Sequence, residues 1–179
     1  MNILAIGTSN SAHSINRALA AYAAKMLDAG NVEVLNIHDY EMPLFSVERE
    51  QELGSPPKAQ AFYRKIADAD VMVIAFAEHN GSYSAAWKNL FDWTSRIDTK
   101  VFQNKPSVFL STSPGPGGAA NVLAAAVKSA THFGADLVAS YSIPSFHKNF
   151  DSEKLELLNV EVKLELEMAM EKLQQKFQA

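Results

Sequence analysis

Short apolar runs, each followed by a segment of helical spacing, constrain this chain more than any other feature. "NILAIG" (2–7) precedes a helical pattern with Ile15, Leu19, Tyr22, Ala23 and Met26 on one face. "VEVLNI" (32–37) alternates, as a strand near a sheet edge does. Residues 40–55 read as a loop of mixed charge, and "SPP" then opens a helix through Phe62, Ile66 and Ala67, proline being tolerated in a first turn. "DVMVIAF" (70–76) is apolar nearly throughout, the mark of a strand covered on both faces. "AAWKNLFDWTSRI" (85–97) reads as a helix and "PSVFLST" (106–112) as a strand. "AANVLAAAVKSATHFG" (119–134) reads as a helix closed by Gly134, and "DLVASYSI" (136–143) as a fifth strand. From Asp151 the tail is helical, with Leu155, Leu158, Val162, Leu166, Ala169, Leu173 and Phe177 in one stripe. That stripe either packs on the chain's own sheet or meets a partner. Alternation over the full length predicts one α/β domain of three layers around a doubly wound, five-stranded parallel sheet.

Composition narrows the chemistry. Apolar residues make up 47% of the 179 and charged residues 20%, an ordinary globular balance. A net charge of -4 argues against nucleic acid as a partner, which calls for a basic face. With no cysteine, disulfides, thiolate nucleophiles, cysteine-ligated zinc and iron–sulfur clusters are excluded. Redox chemistry, if present, must then reside in an organic cofactor. No apolar run approaches a bilayer span and no secretory leader opens the chain, so a cytoplasmic protein without a membrane partner is expected.

In parallel α/β sheets the ligand lies beyond the carboxyl ends of the strands. Three segments of unusual chemistry leave those ends. "GTSNSAHSIN" (7–16) places Thr8, Ser9, Asn10, Ser11, His13, Ser14 and Asn16 between a strand and a helix start. Its hydroxyls, together with the free amides of a helix N-terminus, suit a monophosphate, while a single serine acting only as an N-cap is the plainer alternative. No lysine follows a glycine there, so this is not a nucleoside-triphosphate loop. "AEHNGSY" (77–83) carries Asn80-Gly81, a tight-turn pair that lets backbone approach a flat ligand edge. No second ligand stands at metal-binding spacing from His79, and none of the carboxylates is assigned a metal. Trp87 stands open between core and cofactor platform. "SPGPGGAA" (113–120) formally fits G-x-G-x-x-A, but it follows the fourth strand and two prolines remove amides a pyrophosphate needs.

These residues resemble the NAD(P)H-dependent FMN reductases of flavodoxin-like fold, a family that includes quinone, azo-dye and chromate reductases. The similarity covers about residues 2–147. It rests chiefly on "EHNGSYSAAWKNLFDW", in which Glu78, Asn80, Gly81, Ser82, Lys88, Asn89, Asp92 and Trp93 match the family segment. The resemblance implies strand order 2-1-3-4-5 and bound FMN. Its phosphate would be held by Ser9, Ser11, Ser14 and Asn16 with the amide of Ile15. Its ring edge would lie along Ala77, Glu78, His79, Asn80, Gly81 and Ser82, with Ser113 and Gly115 closing the far side. Hydride would pass from NAD(P)H through the flavin to a small acceptor, a quinone, free flavin, azo compound or metal oxyanion, with no catalytic side chain. A homodimer or homotetramer is implied as well. The chain departs from the family in having Ser11 for the usual arginine, His79 for the usual tyrosine, and a shorter turn at 113–118. An electron-carrier flavodoxin is the alternative, although such proteins are more acidic and carry a threonine-rich first loop. A flavin-free adaptor that uses the tail helix is a further rival.

Overall fold

The computed structural model describes residues 1–27 and 30–178. Its first half comprises β1 (Asn2–Gly7), α1 (Ile15–Ala24), β2 (Asn31–Asn36), a 3-10 turn (Ile37–Tyr40), α2 (Val47–Leu53), α3 (Pro57–Asp68) and β3 (Val71–Phe76). A small hairpin follows, β4 (Glu78–His79) and β5 (Ser82–Tyr83), then α4 (Ala85–Ser95). The second half holds β6 (Pro106–Thr112), α5 (Ala120–Ala130), β7 (Asp136–Ile143), α6 (Phe146–Asn149), a second hairpin of β8 (Phe150–Asp151) and β9 (Glu156–Leu157), and α7 (Val160–Gln178). The five long strands form a parallel sheet in the order β2-β1-β3-β6-β7. Counting only these five, that is the expected flavodoxin-like order.

Alternation within each strand builds two cores. Ile3 and Ala5 of β1, with Val71, Val73 and Ala75 of β3, face α1 and α7. Leu4 and Ile6, with Met72, Ile74 and Phe76, face α3, α4 and α5. All six residues of β3 are buried, as its apolar run predicts, while β2 lies at an edge and is only partly covered. Among the described residues, no helix is long and apolar enough to cross a membrane.

Three boundaries differ from the sequence reading. Residues 40–55 contain α2, which buries none of its residues and is held by polar contacts such as Arg96 Nε to Glu50 Oε1 at 2.8 Å. Periodicity misses such a helix because it has no buried face. The tail helix begins at Val160 rather than Asp151. Asp151 instead accepts from the amides of Glu153 and Lys154, Leu155 takes a positive φ of 54°, and Asn159 Oδ1 accepts from the amides of Glu161 and Val162. Leu155 and Leu158 are therefore exposed, while Val162, Leu166, Ala169, Met170 and Leu173 are buried in the core beneath α7. The tail helix packs on its own sheet. Finally, α5 stops at Ala130, and Gly134 (φ +75°) sits in the turn beyond it.

Gly7 ends β1 directly beneath α1. A Cβ there would lie 2.3 Å from Arg17 N and 2.4 Å from Arg17 Cα, atoms of a helix backbone that cannot swing aside. Gly7→Ala should lower stability by about 2–3 kcal/mol in urea denaturation. Stability unchanged within error would mean that helix and strand do not meet this closely.

Candidate functional site

The loop after β1 is a chain of hydroxyl turns. Ser9 Oγ accepts from the Ser11 amide at 3.2 Å, Ser11 Oγ from the His13 amide at 3.3 Å, and Ser14 Oγ caps α1 by accepting from the Arg17 amide at 3.1 Å. With these acceptor bonds made inside the loop, each hydroxyl proton remains to be donated outward. The amides of Ile15 and Asn16, at the positive end of α1, have no partner among the described residues. Arg17 braces the loop, donating to Ala12 O at 2.6 Å and Asn36 Oδ1 at 2.9 Å.

Two buried polar residues tie this loop to its neighbours. Asn16 donates from Nδ2 to Thr112 O at 3.1 Å, and its Oδ1 accepts from Thr112 N at 3.0 Å. The side chain thus behaves as a strand partner for the exit of β6. Thr8 Oγ1 accepts from the Ala77 amide at 2.8 Å, and Ser84 Oγ donates to Thr8 O at 2.5 Å while accepting from the Trp87 amide at the start of α4. Thr8, Asn16, Ser84 and Thr112 are all almost wholly buried. Their side-chain hydrogen bonds run to one another, to strand-exit backbone and to the first turn of α4, which leaves the three loops little freedom.

The hairpin at the exit of β3 pairs Glu78 with Tyr83 and His79 with Ser82. Asn80 (φ 52°) and Gly81 (φ 76°) fill its two-residue turn, the positive φ at both positions that a type I′ connection needs. Glu78 turns toward α5, its carboxylate accepting from the Val122 amide at 2.9 Å and more loosely from Asn121 Nδ2 at 3.5 Å. Ala119, at the N-cap of α5, offers no side chain, so Glu78 supplies the missing cap from another element and meets the helix dipole with negative charge. Burial raises the pKa of the Tyr83 hydroxyl, an effect that the neighbouring Ser129 partly offsets.

The third turn is drawn toward β7. Ser113 Oγ donates to Gly115 O at 3.2 Å, the Ser145 amide donates to Gly115 O at 2.9 Å, and the Phe146 amide to Ser113 O at 3.0 Å. Gly118 packs so closely on β7 that a Cβ would meet Ser142 Oγ at 2.4 Å.

Together these exits enclose a cleft of about 180 Å³. One wall carries Ser9, Ser11, Ser14, Ile15 and Asn16, all expected from sequence. The facing wall carries Ala77, Glu78 and His79, and Ser113 closes the side. Asn80, Gly81, Ser82 and Gly115, also expected at the site, do not line the cleft: the first three form the exposed tip of the hairpin, and Gly115 is bonded back toward β7. His13, Thr112 and Pro114 line the cleft without having been singled out. His13 stood in the polar window, but nothing in its spacing marks it, and Thr112 reads as the last residue of a strand. A larger cavity of about 300 Å³ lies between α4 and α5 over Phe76 and Phe109. Its walls are mainly aromatic, with Tyr83, Ser95, Ser129 and Lys88 as the polar groups that could donate among them. Trp87 lines that cavity and is 2% exposed, which places it in the core.

The sequence profile of NADPH-dependent FMN reductases matches residues 1–148. The chain belongs to that family. It is 40% identical over 77 residues to an NADPH:quinone oxidoreductase of Arabidopsis thaliana, covering 43% of this chain and 39% of that one. To an NAD(P)H-dependent FMN reductase of Pseudomonas aeruginosa it is 32% identical over 121 residues, covering 67% of this chain and 64% of that one. The matched stretches thus span about two fifths to two thirds of these relatives' length. Among solved structures, FerB, a flavoenzyme NAD(P)H:(acceptor) oxidoreductase from Paracoccus denitrificans, superposes with a TM-score of 0.80 at 20% identity, over 99% of this chain and 97% of that one. That likeness concerns the fold.

The family segment in α4 has a structural explanation. Lys88 and Asp92 pair one turn apart at 2.7 Å. Asn89 Oδ1 accepts from the Phe45 amide at 2.8 Å, Asn89 Nδ2 donates to Met42 O and Pro43 O, and Trp93 Nε1 donates to Pro43 O at 2.7 Å. The segment that carries the resemblance most specifically therefore fastens the 42–45 strap to the domain.

Asn16→Ala would leave the buried Thr112 amide unpaired and remove the bond to Thr112 O. It should cost about 2 kcal/mol of stability, measured by urea denaturation of ligand-free protein. A loss below about 0.5 kcal/mol would contradict the clamp.

Proposed function

We propose that this protein is an NAD(P)H-dependent FMN reductase that delivers electrons to a small acceptor, with quinones the foremost class, and that it operates in the cytoplasm. One observation carries the reading: a loop of outward-facing hydroxyls at a helix N-terminus shares a single cleft with a hairpin backbone. A monophosphate on a planar ring needs both. Family membership and the quinone and FMN reductases among the relatives support the redox assignment.

The donor set fits the phosphate end of FMN. Ser9, Ser11 and Ser14 would donate their hydroxyl protons, and the Ile15 amide would add a backbone donor under the field of α1. Asn16 contributes by holding this loop on Thr112, since its side-chain amide is already paired there. Ala77, Glu78 and His79 would lie along the ring, and the hairpin is held in place by Thr8 and by the Glu78 contact with α5. Ser113 would bound the remaining side. Bound FMN supplies hydride acceptance and donation, so the chain's own task is to position the ring and to leave one face open to donor and acceptor in turn.

Denaturation should release a ligand with the mass of FMN, and NADPH should bleach the yellow protein in air-free buffer. A colourless protein that takes up no FMN would refute the reading, and a flavin that NADPH fails to bleach would favour the electron-carrier alternative. Ser9→Ala and Ser11→Ala should each weaken FMN binding by about 1.5 kcal/mol or more while sparing riboflavin, read by flavin-fluorescence titration. A homodimer or homotetramer is part of the proposal, and a monomeric mass in light scattering at micromolar concentration would refute that part.

A further inference from the structure

We propose that His13 adds a cationic contact to the flavin phosphate beyond the hydroxyl donors, and so strengthens the preference for FMN over riboflavin. The proposal rests on the FMN reading above and names a further residue that would contact the phosphate.

The cleft presents a dianion with many donors and little charge. None of its lining residues is lysine or arginine. The guanidinium of Arg17, which braces the loop, is spent on Ala12 O and Asn36 Oδ1. Neutral hydroxyls donate to the phosphate, and a cation adds an ionic attraction that they lack. Two lining residues can carry positive charge, His13 and His79. They sit on different walls. His79 belongs to the hairpin beside Ala77 and Glu78, where the ring would lie. His13 belongs to the loop of Ser9, Ser11 and Ser14, where the phosphate would lie. The His13 amide is held by Ser11 Oγ at 3.3 Å, which fixes the residue within the hydroxyl turns. Its imidazole is exposed, lines the cleft and has no hydrogen bond or ion pair among the described residues.

The charged groups around it leave room for this role. Across the cleft, the Glu78 carboxylate is bonded at the start of α5, and His79 is the second imidazole. Beyond Asn10, Glu41 accepts from Asn10 Nδ2 at 3.2 Å and pairs with His38 at 3.1 Å. Arg17 lies behind the loop. No carboxylate is bonded to His13 itself among the described residues.

The sign of the pH effect follows. A phosphate monoester is a dianion above about pH 6 and an imidazole is a cation below about pH 6.5. A cationic imidazole attracts the dianion and a neutral one does not, so this contact is lost at alkaline pH. Between pH 7 and pH 9 the phosphate stays a dianion, so FMN affinity should fall while riboflavin affinity does not.

The test is flavin-fluorescence titration of flavin-stripped protein with FMN and with riboflavin at pH 7 and pH 9. Wild type should lose about tenfold in FMN affinity over that interval, the order of one exposed charge-assisted contact. His13→Gln should bind FMN about tenfold more weakly at pH 7 and show no pH dependence, with riboflavin unaffected. His13→Lys should restore tight FMN binding at both pH values. FMN binding that is equal in wild type and His13→Gln overturns the proposal while leaving the cofactor reading intact. So does a pH dependence that survives in His13→Gln and vanishes in His79→Gln. Failure of both flavins to bind wild type overturns the cofactor reading and this proposal with it.

Discussion

The side chain of Asn16 is bonded through both its oxygen and its nitrogen to the backbone of Thr112, 96 residues away in sequence. Both partners are buried, so neither can exchange the bond for water without opening the rim of the sheet. This contact sets the first turn of α1 against the exit of β6. Thr8 performs the matching task toward β3, taking the Ala77 amide and, through its carbonyl, the Ser84 hydroxyl that caps α4. Three strand exits that would otherwise wander as loops are thereby held at one spacing, and the cleft is the space left between them.

These ties separate the residues that build the cleft from those free to face a ligand. Asn16, Thr8, Ser84 and Glu78 have their polar groups engaged within the protein. Ser9, Ser11 and Ser14 accept inside the loop and keep a proton for outside use. Thr8 and Asn16 flank the three serines in sequence and are of similar chemical type. Glu78 shows how far the division goes: a carboxylate on the cleft wall serves as the helix cap that Ala119 lacks, and its charge is answered by the dipole of α5. The hairpin it anchors turns on Asn80 and Gly81, both at positive φ, the geometry that two-residue connections between twisted strands require.

The architecture was legible in the sequence because hydrophobic period and length are local signals. The continuous apolar run of β3 announced a central strand, the alternation of β2 an edge, and both read correctly in the sheet. Where burial does not set the pattern, the signal fails. Helix α2 has no buried residue and left no period, and an Asx turn at Asp151 delayed the tail helix to Val160. At the cleft, residues clustered in one hydroxyl-rich loop were found together. The tip of the hairpin and Gly115 were expected with them, but a turn that points outward and a carbonyl drawn toward β7 cannot be foreseen from residue type.

By itself, the sequence determined the layers, the strand order implied by its resemblance, the absence of thiol chemistry and the three loops where a ligand would meet the sheet. The strand order came with the resemblance; the others follow from the spacing of apolar residues and from composition, which every part of the chain carries locally. Tertiary structure alone decided which polar side chains bind chain and which face the cleft, His13 among the latter. That division depends on hydrogen bonds between residues as distant as Asn16 and Thr112, whose partners are assigned only once the strands have met.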